Sequence, residues 1–273
     1  MILETVGHAS LLLRSDDCKP YLITDPWIIG SNYWRSWWLQ NYPDDKQLKN
    51  IISSQHVYIT HEHPDHFHTP SLRQFNQKTK FLFPDLPQKG FNDYMVKNNY
   101  NFEIVPIMKW IKLSDNIQIL SIPLWNDDSI LLIDTSDALI VNLNDAKPSK
   151  SLLKWILKVV KKVNKYTVLL SSYSPASIVN SFRRNGRELS IKTKKDYVDY
   201  LNKVCNIIRP DAFIPFASQV IFQRDDSKWA NEHKVKYSDL EKYWDSETKL
   251  LRPYSTINLD DKTISFVEEK RSE

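Results

Sequence analysis

The stretch Thr60-His61-Glu62-His63-Pro64-Asp65-His66 is the most informative part of this sequence. Five of the seven histidines of the chain lie between His56 and His68, and this density favours a metal site. The preceding residues 57–60 are apolar and β-branched, so they predict a buried strand that ends just before the histidines. Metal-binding and catalytic groups usually lie in the loops that follow strand ends. The stretch therefore predicts a metal centre at the edge of a sheet.

The spacing within the stretch assigns ligands. His61 and His63 are two residues apart, so in an extended segment both imidazoles point to one side and can bind one cation. Asp65 and His66 follow on the next turn and can serve a second cation, and Asp65 is also the candidate catalytic residue. The alternative is a solvated histidine-rich loop in which Asp65 caps a helix through residues 71–73. That alternative does not explain the spacing.

The composition bounds the class of protein. A chain of 273 residues can bury a substantial core. Its two cysteines, Cys18 and Cys205, are far apart and support neither a disulfide framework nor a thiolate cluster, so we expect a cytoplasmic setting. The apolar runs are too short to span a membrane, and residues 1–4 enter a strand without a signal region. We therefore expect a protein that is neither exported nor bound to a membrane.

The charge pattern argues against a nucleic-acid partner. The formal net charge is +4, and much of the lysine excess lies in the segment from Lys150 to Lys165. Apolar residues recur there with a helical period and lysines lie opposite, which predicts a solvated helix face. A single aromatic residue, Trp155, lies among these lysines, which does not make the interleaved stacking pattern of a nucleic-acid site. The chain has four glycines, too few for a glycine-rich loop that binds phosphate.

Strand and helix patterns are interspersed along the chain, without a repeat or a long linker. The predicted strands are 2–6, 10–14, 20–24, 56–60, 80–83, 102–107, 117–122, 129–134, 138–142, 167–171 and 212–215. The predicted helices are 45–53, 70–77, 88–98, 150–165 and 190–208, and a hairpin closes the chain at 255–266. An aromatic-rich loop is expected at 28–43. This arrangement predicts one layered α/β domain over residues 1–273.

Three separated motifs resemble the metallo-β-lactamase superfamily. They are Gly7-His8-Ala9-Ser10 with Thr24-Asp25-Pro26-Trp27, the histidine-rich stretch at 60–66, and Asn142-Leu143-Asn144-Asp145 at the end of an apolar strand. The resemblance implies a four-layered αββα sandwich with metals at one edge of its two sheets. It further implies that His61 and His63 bind a first metal, that Asp65 and His66 bind a second, and that Asp145 bridges them.

Within this superfamily the chain is most similar to the catalytic domain of the CMP-N-acetylneuraminate hydroxylase family. The similarity rests on Asp25-Pro26-Trp27-Ile28-Ile29-Gly30 with Trp37-Trp38, on the strand that leads into His61, and on Pro215-Phe216-Ala217. It covers about residues 5–235. The Rieske domain that feeds electrons to the vertebrate-type hydroxylase has no counterpart in the sequence, so we expect a separate electron-donor protein.

The chain departs from the superfamily pattern where a further histidine is usual. No histidine occurs from 69 to 232, and the expected position falls near Asp127 and Asp128, which offer oxygen ligands. The alternative for this pair is a polar turn between strands. A last histidine commonly follows the strand at 212–215; His233 lies later than expected, and the sequence leaves open whether it is a ligand or a surface residue.

The ligand set suggests the reaction. If Asp127 or Asp128 replaces the histidine, two imidazoles and a carboxylate favour iron over zinc, with manganese also open. One or two divalent ions are expected. We therefore expect an iron-dependent hydroxylase that acts on a sugar nucleotide or a similar anionic small molecule. The alternatives are a metal-dependent hydrolase of a phosphodiester, lactone or ester, and a non-catalytic metal-binding module.

Two groups of residues are candidates for substrate binding. Arg183, Arg184 and Arg187 suit the geometry of phosphate and carboxylate, although a solvated loop is an equal alternative. Trp37 and Trp38 are candidates for a wall of the pocket, with packing in the core as the alternative.

Two further residues are candidates to support the ligands. We expect His8 to support the site rather than to bind metal directly. Asp25 follows a buried strand, and we expect it to orient a metal-binding histidine through a hydrogen bond.

Overall fold

The computed structural model describes residues 1–15, 19–87, 90–125, 127–184 and 187–267. The strands of these segments are β1 (Ile2–Val6), β2 (Ser10–Arg14), β3 (Pro20–Thr24), β4 (Ser31–Asn32), β5 (Trp37–Leu39), β6 (His56–Tyr58), β7 (Lys80–Pro84), β8 (Phe102–Val105), β9 (Trp110–Ser114), β10 (Ile117–Pro123), β11 (Ser129–Thr135), β12 (Ala138–Asn144), β13 (Tyr166–Ser172), β14 (Phe182–Arg184), β15 (Glu188–Ser190), β16 (Ala212–Phe216), β17 (Val220–Phe222), β18 (Lys249–Leu250), β19 (Ser255–Asn258) and β20 (Ile264–Phe266). The helices are α1 (Asp45–Ile52), α2 (Thr69–Leu72), α3 (Gly90–Lys97), α4 (Lys150–Val163), α5 (Ile178–Ser181), α6 (Lys194–Ile208) and α7 (Tyr237–Tyr243), and a 3₁₀ helix spans Lys228–His233.

Two large sheets pack face to face. The first has the order β20-β19-β1-β2-β3-β6-β7-β8, and the second has the order β18-β16-β13-β12-β11-β10-β9. Because side chains alternate along a strand, Leu11 and Leu13 of β2 pack in the core between the sheets, whereas Leu12 packs on the outer face. Ile133 of β11 and Leu170 of β13 belong to the same central core. The interior is therefore formed by the two facing sheet surfaces.

Helices cover both outer faces. Ile51 of α1, Leu72 of α2 and Phe91 of α3 pack on the outer face of the first sheet. Ile156 of α4 and Leu201 of α6 pack on the outer face of the second sheet. This four-layered αββα arrangement confirms the predicted fold class. Among the described residues, no helix is long and apolar enough to cross a membrane.

The strand order brings the sequence motifs to one edge. Strands β3 and β6 are neighbours and run parallel, so Asp25 and the histidine loop both follow their carboxyl ends. Strand β12 of the second sheet ends at Asn144, whose side chain donates to Asp25 across the gap between the sheets (Nδ2 to Oδ2, 2.9 Å). The turn between β10 and β11 carries Asp128 to the same place, since Asp128 contacts His61. Four separate segments thus meet at one edge of the sandwich.

Two segments predicted as loops contain short strands. Strands β4 and β5 lie in the aromatic segment 28–43 and pair with β17 in a small third sheet. The arginine segment folds into the hairpin of β14 and β15. Strands of two or three residues are too short to show an alternating pattern, and the sequence therefore does not reveal them.

Two predicted helices are shorter than expected. Helix α2 ends at Leu72, where the backbone N–H groups of Gln74 and Phe75 donate to the carbonyls three residues before them, and the Asn76 side chain then accepts from the backbone of Lys78 and Thr79 in a turn. Helix α6 begins after Thr193, whose hydroxyl caps it by accepting from the backbone N–H of Asp196.

Candidate metal centre

A buried hydrogen-bond network around Asp25 holds the edge together. Asp25 Oδ1 accepts from the backbone N–H of Thr60 (2.7 Å), and Oδ2 accepts from the Thr60 hydroxyl (2.8 Å). Asn144 Nδ2 donates to Asp25 Oδ2 (2.9 Å) and to Thr60 Oγ1 (2.7 Å). All three side chains are fully buried. Asp25 (φ 41°) and Asn144 (φ 53°) both lie in the left-handed region, so each strand turns sharply as it ends.

This network also fixes His66. Its Nδ1 lies 3.1 Å from Asp25 Oδ2, so the opposite ring nitrogen, Nε2, points away from the network. Nε2 lies 3.3 Å from Asp65 Oδ2 and 3.4 Å from Asp145 Oδ2. It is buried and makes no hydrogen bond within the described part of the chain. His66 therefore presents a nitrogen lone pair or proton to two carboxylates.

His8, Asp65 and His66 form one group of potential metal ligands. His8 Nε2 lies 3.1 Å from Asp65 Oδ2, and the other oxygen of Asp65 accepts from the Tyr33 hydroxyl (2.6 Å). Gly7 has φ 60° and makes the turn before His8; a side chain there would lie 2.9 Å from the carbonyl oxygen of Trp27. The structure thus places His8 in contact with Asp65, within reach of a shared cation.

His61, His66 and Asp145 form a second group, which shares His66 with the first. In each group the ligand atoms lie within 4.8 Å of one another. His61 Nε2 lies 2.8 Å from His63 Nδ1, and His61 Nδ1 lies 3.4 Å from Asp128 Oδ1. His63 and Asp128 are therefore immediate neighbours of this second group.

The charges of the cluster depend on one another. Burial opposes protonation of His66, but the carboxylates of Asp65 and Asp25 outweigh it and raise its pKa well above the usual range. Burial alone would raise the pKa of Asp65 and of Asp145. The contacts with His66 and His8 together outweigh it, so the pKa of Asp65 lies well below its usual range and that of Asp145 is lowered. Burial and the nearby Asp145 raise the pKa of Asp128 to about 7. The carboxylates thus favour a positive charge between them.

The donor set fits a divalent cation. His66 Nε2, His8 Nδ1 and Asp145 Oδ1 are buried atoms without a hydrogen-bond partner among the described residues. Buried polar atoms normally have partners, and the unpartnered His66 Nε2, which lies among the carboxylates of Asp65 and Asp145, fits a bound cation. Imidazole nitrogens and carboxylate oxygens are common ligands of zinc, iron and manganese. Together with the fold, these groups make the edge a candidate metal centre.

Of the predicted ligands, His63, Asp127 and Asp128 lie outside both groups, and so does His233, whose role the sequence left open. Asp127 has φ 58° and lines a surface groove beside the turn, whereas its neighbour Asp128 is buried against His61. His233 lies at the end of the 3₁₀ helix, where its Nε2 is 3.0 Å from the carbonyl oxygen of Glu188. Its ring packs near Phe182 with a centroid separation of 5.6 Å.

The two tryptophans of β5 point in opposite directions. Trp37 is buried, with ring centroids 4.5 Å from Tyr33, 5.7 Å from Phe222 and 6.1 Å from His8. Trp38 is half-buried, and its indole N–H donates to the carbonyl of Arg35 (3.0 Å). Trp37 thus packs in the apolar core beside His8, and a role for either residue in substrate binding stays a prediction.

The three arginines lie on an exposed hairpin. Arg183 and Arg184 are exposed on β14, and Arg187 is exposed just before β15. Phe182 of the same strand packs in one apolar cluster with Trp37. The hairpin is therefore anchored to the aromatic cluster beside the site, and anion binding by the arginines stays a prediction.

The structure adds residues that the sequence did not single out. Tyr33 donates to Asp65, and Asn144 joins Asp25 to Thr60. Glu62 Oε1 accepts from the backbone N–H of Phe91 (3.3 Å) and so ties the histidine loop to the start of α3. Asn144 stands in a motif that the sequence offers, but the contacts of Tyr33 and Glu62 join distant segments and leave no sequence signal.

The sequence comparisons relate the chain to hydroxylases. No protein-family model matches it. It is 23% identical over 274 residues to the cytidine monophosphate-N-acetylneuraminic acid hydroxylase of Cricetulus griseus, covering 92% of this chain and 47% of that protein. It is also 23% identical over 274 residues to the inactive hydroxylase of Homo sapiens, covering 92% of this chain and 53% of that protein. The chain thus spans about half the length of these relatives.

The structural comparisons identify the fold. A possible metal-dependent hydrolase from Veillonella parvula has a TM-score of 0.63 at 10% identity, covering 94% of this chain and 98% of that chain. A mutant of the CmlA β-hydroxylase has a TM-score of 0.60 at 14% identity, covering 94% of this chain and 53% of that chain. A metallo-β-lactamase fold protein from Bacillus subtilis has a TM-score of 0.55 at 10% identity, covering 93% of this chain and 98% of that chain. These similarities show that the chain has the metallo-β-lactamase fold.

Proposed function

From its metallo-β-lactamase fold and its weak homology to the CMP-N-acetylneuraminic acid hydroxylases, we propose that this chain is an iron-dependent hydroxylase. Its substrate is a sugar nucleotide or a similar anionic metabolite. The relatives and structural neighbours include both hydroxylases and hydrolases, so the choice between these reactions rests on the site itself.

The observation that carries the proposal is the group of His61, His66 and Asp145, whose ligand atoms lie within 4.8 Å of one another. Asp128 Oδ1 lies 3.4 Å from His61 Nδ1, and His63 Nδ1 lies 2.8 Å from His61 Nε2. Asp128 and His63 thus contact opposite nitrogens of the His61 ring, and the two imidazoles and one carboxylate that can share a cation are those of His61, His66 and Asp145. Oxygen in place of a third nitrogen favours iron over zinc, and two histidines with one carboxylate are typical of iron sites that use dioxygen.

The proposed reaction consumes dioxygen and two electrons. One oxygen atom enters a C–H bond of the substrate as a hydroxyl group, and the other leaves as water after taking up two protons. The two electrons come from a separate donor protein. A metal ion bound here would supply the activation of dioxygen.

Hydrogen bonds and packing between residues of the chain hold the candidate ligands in position for this reaction. Asp25 orients His66 and holds Thr60 next to His61, while the Tyr33 hydroxyl fixes one oxygen of Asp65. Trp37 packs near His8 and shields that side of the centre from water. The ligand positions are thereby set before the metal binds.

Metal analysis and oxygen uptake test the proposal. Protein purified without oxygen should contain iron and should consume dioxygen when a reductant and a CMP-linked sugar are supplied. Asp128→Asn should abolish oxygen uptake and lower the iron content, whereas Asp115→Asn, at an exposed position, should change neither. Zinc in place of iron together with no oxygen uptake would contradict the proposal.

A metal-dependent hydrolase is the second candidate. The two groups of potential ligands share His66, and an arrangement in which two metals lie close together is typical of hydrolases that activate water. Turnover of an ester, lactone or phosphodiester without dioxygen or reductant would favour this candidate. A purified protein that retains no metal would instead favour a role without catalysis.

A further inference from the structure

An exposed lysine lies beside the candidate metal centre. Lys147 follows Asp145 by two residues, so their Cα atoms are at most about 7 Å apart. The carboxylates of Asp145 and Asp128 both attract the charge of Lys147 through space. The ammonium group of Lys147 is therefore within electrostatic reach of the metal centre.

Neighbouring side chains set the position of this ammonium group. Lys147 Nζ donates to the hydroxyl of Ser172, which ends β13, and lies 5.4 Å from the centre of the Tyr200 ring on α6. Strand β13 is the neighbour of β12, which leads into Asp145. A charged group that is already held in place loses less conformational entropy on binding a ligand than one on a freely moving side chain.

A second lysine adds positive charge at this place. Lys192 is exposed just before α6, and its charge repels that of Lys147. Within the described part of the chain neither of these lysines forms an ion pair, whereas Lys194 and Lys195 of α6 each pair with an aspartate. An anion that binds between two such ammonium groups relieves their mutual repulsion.

Two helices add to the positive potential at the same edge. Helix α4 leads from Lys150 back to the start of β13, and α6 leads from Lys194 back to the start of β16. Because β12, β13 and β16 run parallel, both helices begin at the carboxyl edge that carries Asp145. The N-terminus of a helix carries a partial positive charge, so both helix dipoles act in the same direction as the two lysines.

We propose that Lys147 and Lys192 form an oxyanion site that holds a carboxylate or phosphate group of the substrate beside the metal centre. The inference rests on the proposed function, since it assigns the negatively charged end of that substrate to these two lysines. The arginine hairpin of β14 and β15 is the rival site. It carries exposed guanidinium groups, but no described contact joins these groups to the metal centre.

Titration of the metal-loaded chain with inorganic phosphate and, separately, with acetate tests the proposal. For at least one of these anions, Lys147→Gln should lower the affinity about tenfold or more, because a hydrogen bond to a charged group contributes roughly a tenfold to hundredfold gain. Lys147→Arg keeps the charge and should retain most of the affinity. Lys158→Gln removes another exposed lysine, on α4 but farther from this edge, and as the matched control should leave the affinity unchanged.

The two anions distinguish the possible sources of the oxyanion. A loss for phosphate alone in Lys147→Gln would assign a phosphate group to the site, and a loss for acetate alone would assign a carboxylate. Lys192→Gln should weaken binding of the same anion by a smaller factor. An unchanged affinity in Lys192→Gln would overturn the role of Lys192.

The binding titrations separate this site from the proposed reaction. Full affinity of Lys147→Gln for both anions would overturn the oxyanion site whatever the chemistry at the metal. If Arg184→Gln instead lost about tenfold in affinity, the arginine hairpin would be the anion site. Anion binding that depends on Lys147, in a protein that takes up no oxygen, would keep the oxyanion site and reject the hydroxylase.

Discussion

The two sides of the candidate metal centre are built differently. On the His66 side, Asp65 and Asp25 are buried and every ligand candidate is held by a hydrogen bond from another segment. On the His61 side, His63 is exposed and its ring contacts the neighbouring ring of His61. The buried residues on the His66 side thus also stabilise the fold, whereas the exposed His63 ring on the other side can contact a metal ion and its substrate.

This difference predicts that changes on the two sides affect the free energy of unfolding and the binding of metal to different extents. Removal of a buried polar partner leaves another buried group unsatisfied, which costs much more than the loss of an exposed side chain. Changes on the buried side should therefore lower both the free energy of unfolding and metal retention. A change at the exposed His63 should lower metal retention alone.

Asp25→Asn should have the largest effect on stability. The new amide group faces Asn144 Nδ2 and the Thr60 hydroxyl, which both donate to the carboxylate in the wild type. We expect the free energy of unfolding of the metal-free protein to fall by about 3 kcal/mol. Urea denaturation measures this change, and metal retention should fall with it.

The exposed Asp115→Asn variant is the matched control for this measurement. A loss below about 1 kcal/mol in Asp25→Asn would show that the network is not a structural element. The contrast between the two sides of the centre would then fail.

His63→Ala should act on the metal without acting on the fold. The side chain is exposed, so the unfolding free energy of the metal-free protein should change by less than about 0.5 kcal/mol. Metal affinity should fall at least about tenfold, because loss of a ligand exceeds the usual effect of losing an outer-shell partner. Elemental analysis after dialysis against a chelator measures it, and full metal occupancy in the variant would remove His63 from the ligand set.

The sequence predicts the buried side better than the open side. The two strands that precede Asp25 and the histidine loop follow from apolar patterns, although the second ends at Tyr58 rather than at the expected residue 60, and their parallel pairing brings both loops to one edge. Apolar patterns do not tell whether Asp127 or Asp128 contacts His61, because the left-handed backbone of Asp127 decides which carboxylate reaches that histidine. That conformation depends on the whole turn rather than on residue type.

The aromatic segment shows a second limit of sequence patterns. Trp37 and Trp38 are adjacent in the sequence, and only the pairing of β5 with β4 and β17 decides which of them is buried. Tyr33 reaches Asp65 from a turn in which residues 33–35 all have positive φ. Such a turn without glycine has no sequence signature, so this contact appears only in three dimensions.

Tyr33→Phe should give the smallest of these effects and test how the two sides are coupled. The variant keeps the ring packed against Trp37 but removes the hydroxyl that donates to Asp65. We expect metal affinity to fall about tenfold, in the range for partners that orient a ligand. Competition with a chromophoric chelator measures this affinity.

The effect of Tyr33→Phe should not depend on pH between about 7 and 10. Burial and the negative charge of Asp65 raise the pKa of the Tyr33 phenol, so its proton stays in place and the wild-type hydrogen bond persists across this range. A difference in affinity between variant and wild type that vanishes toward pH 10 would mean that the phenol ionises. Asp65 would then be held only through Oδ2, by its contacts with His8 and His66, and its other oxygen would lose its hydrogen bond.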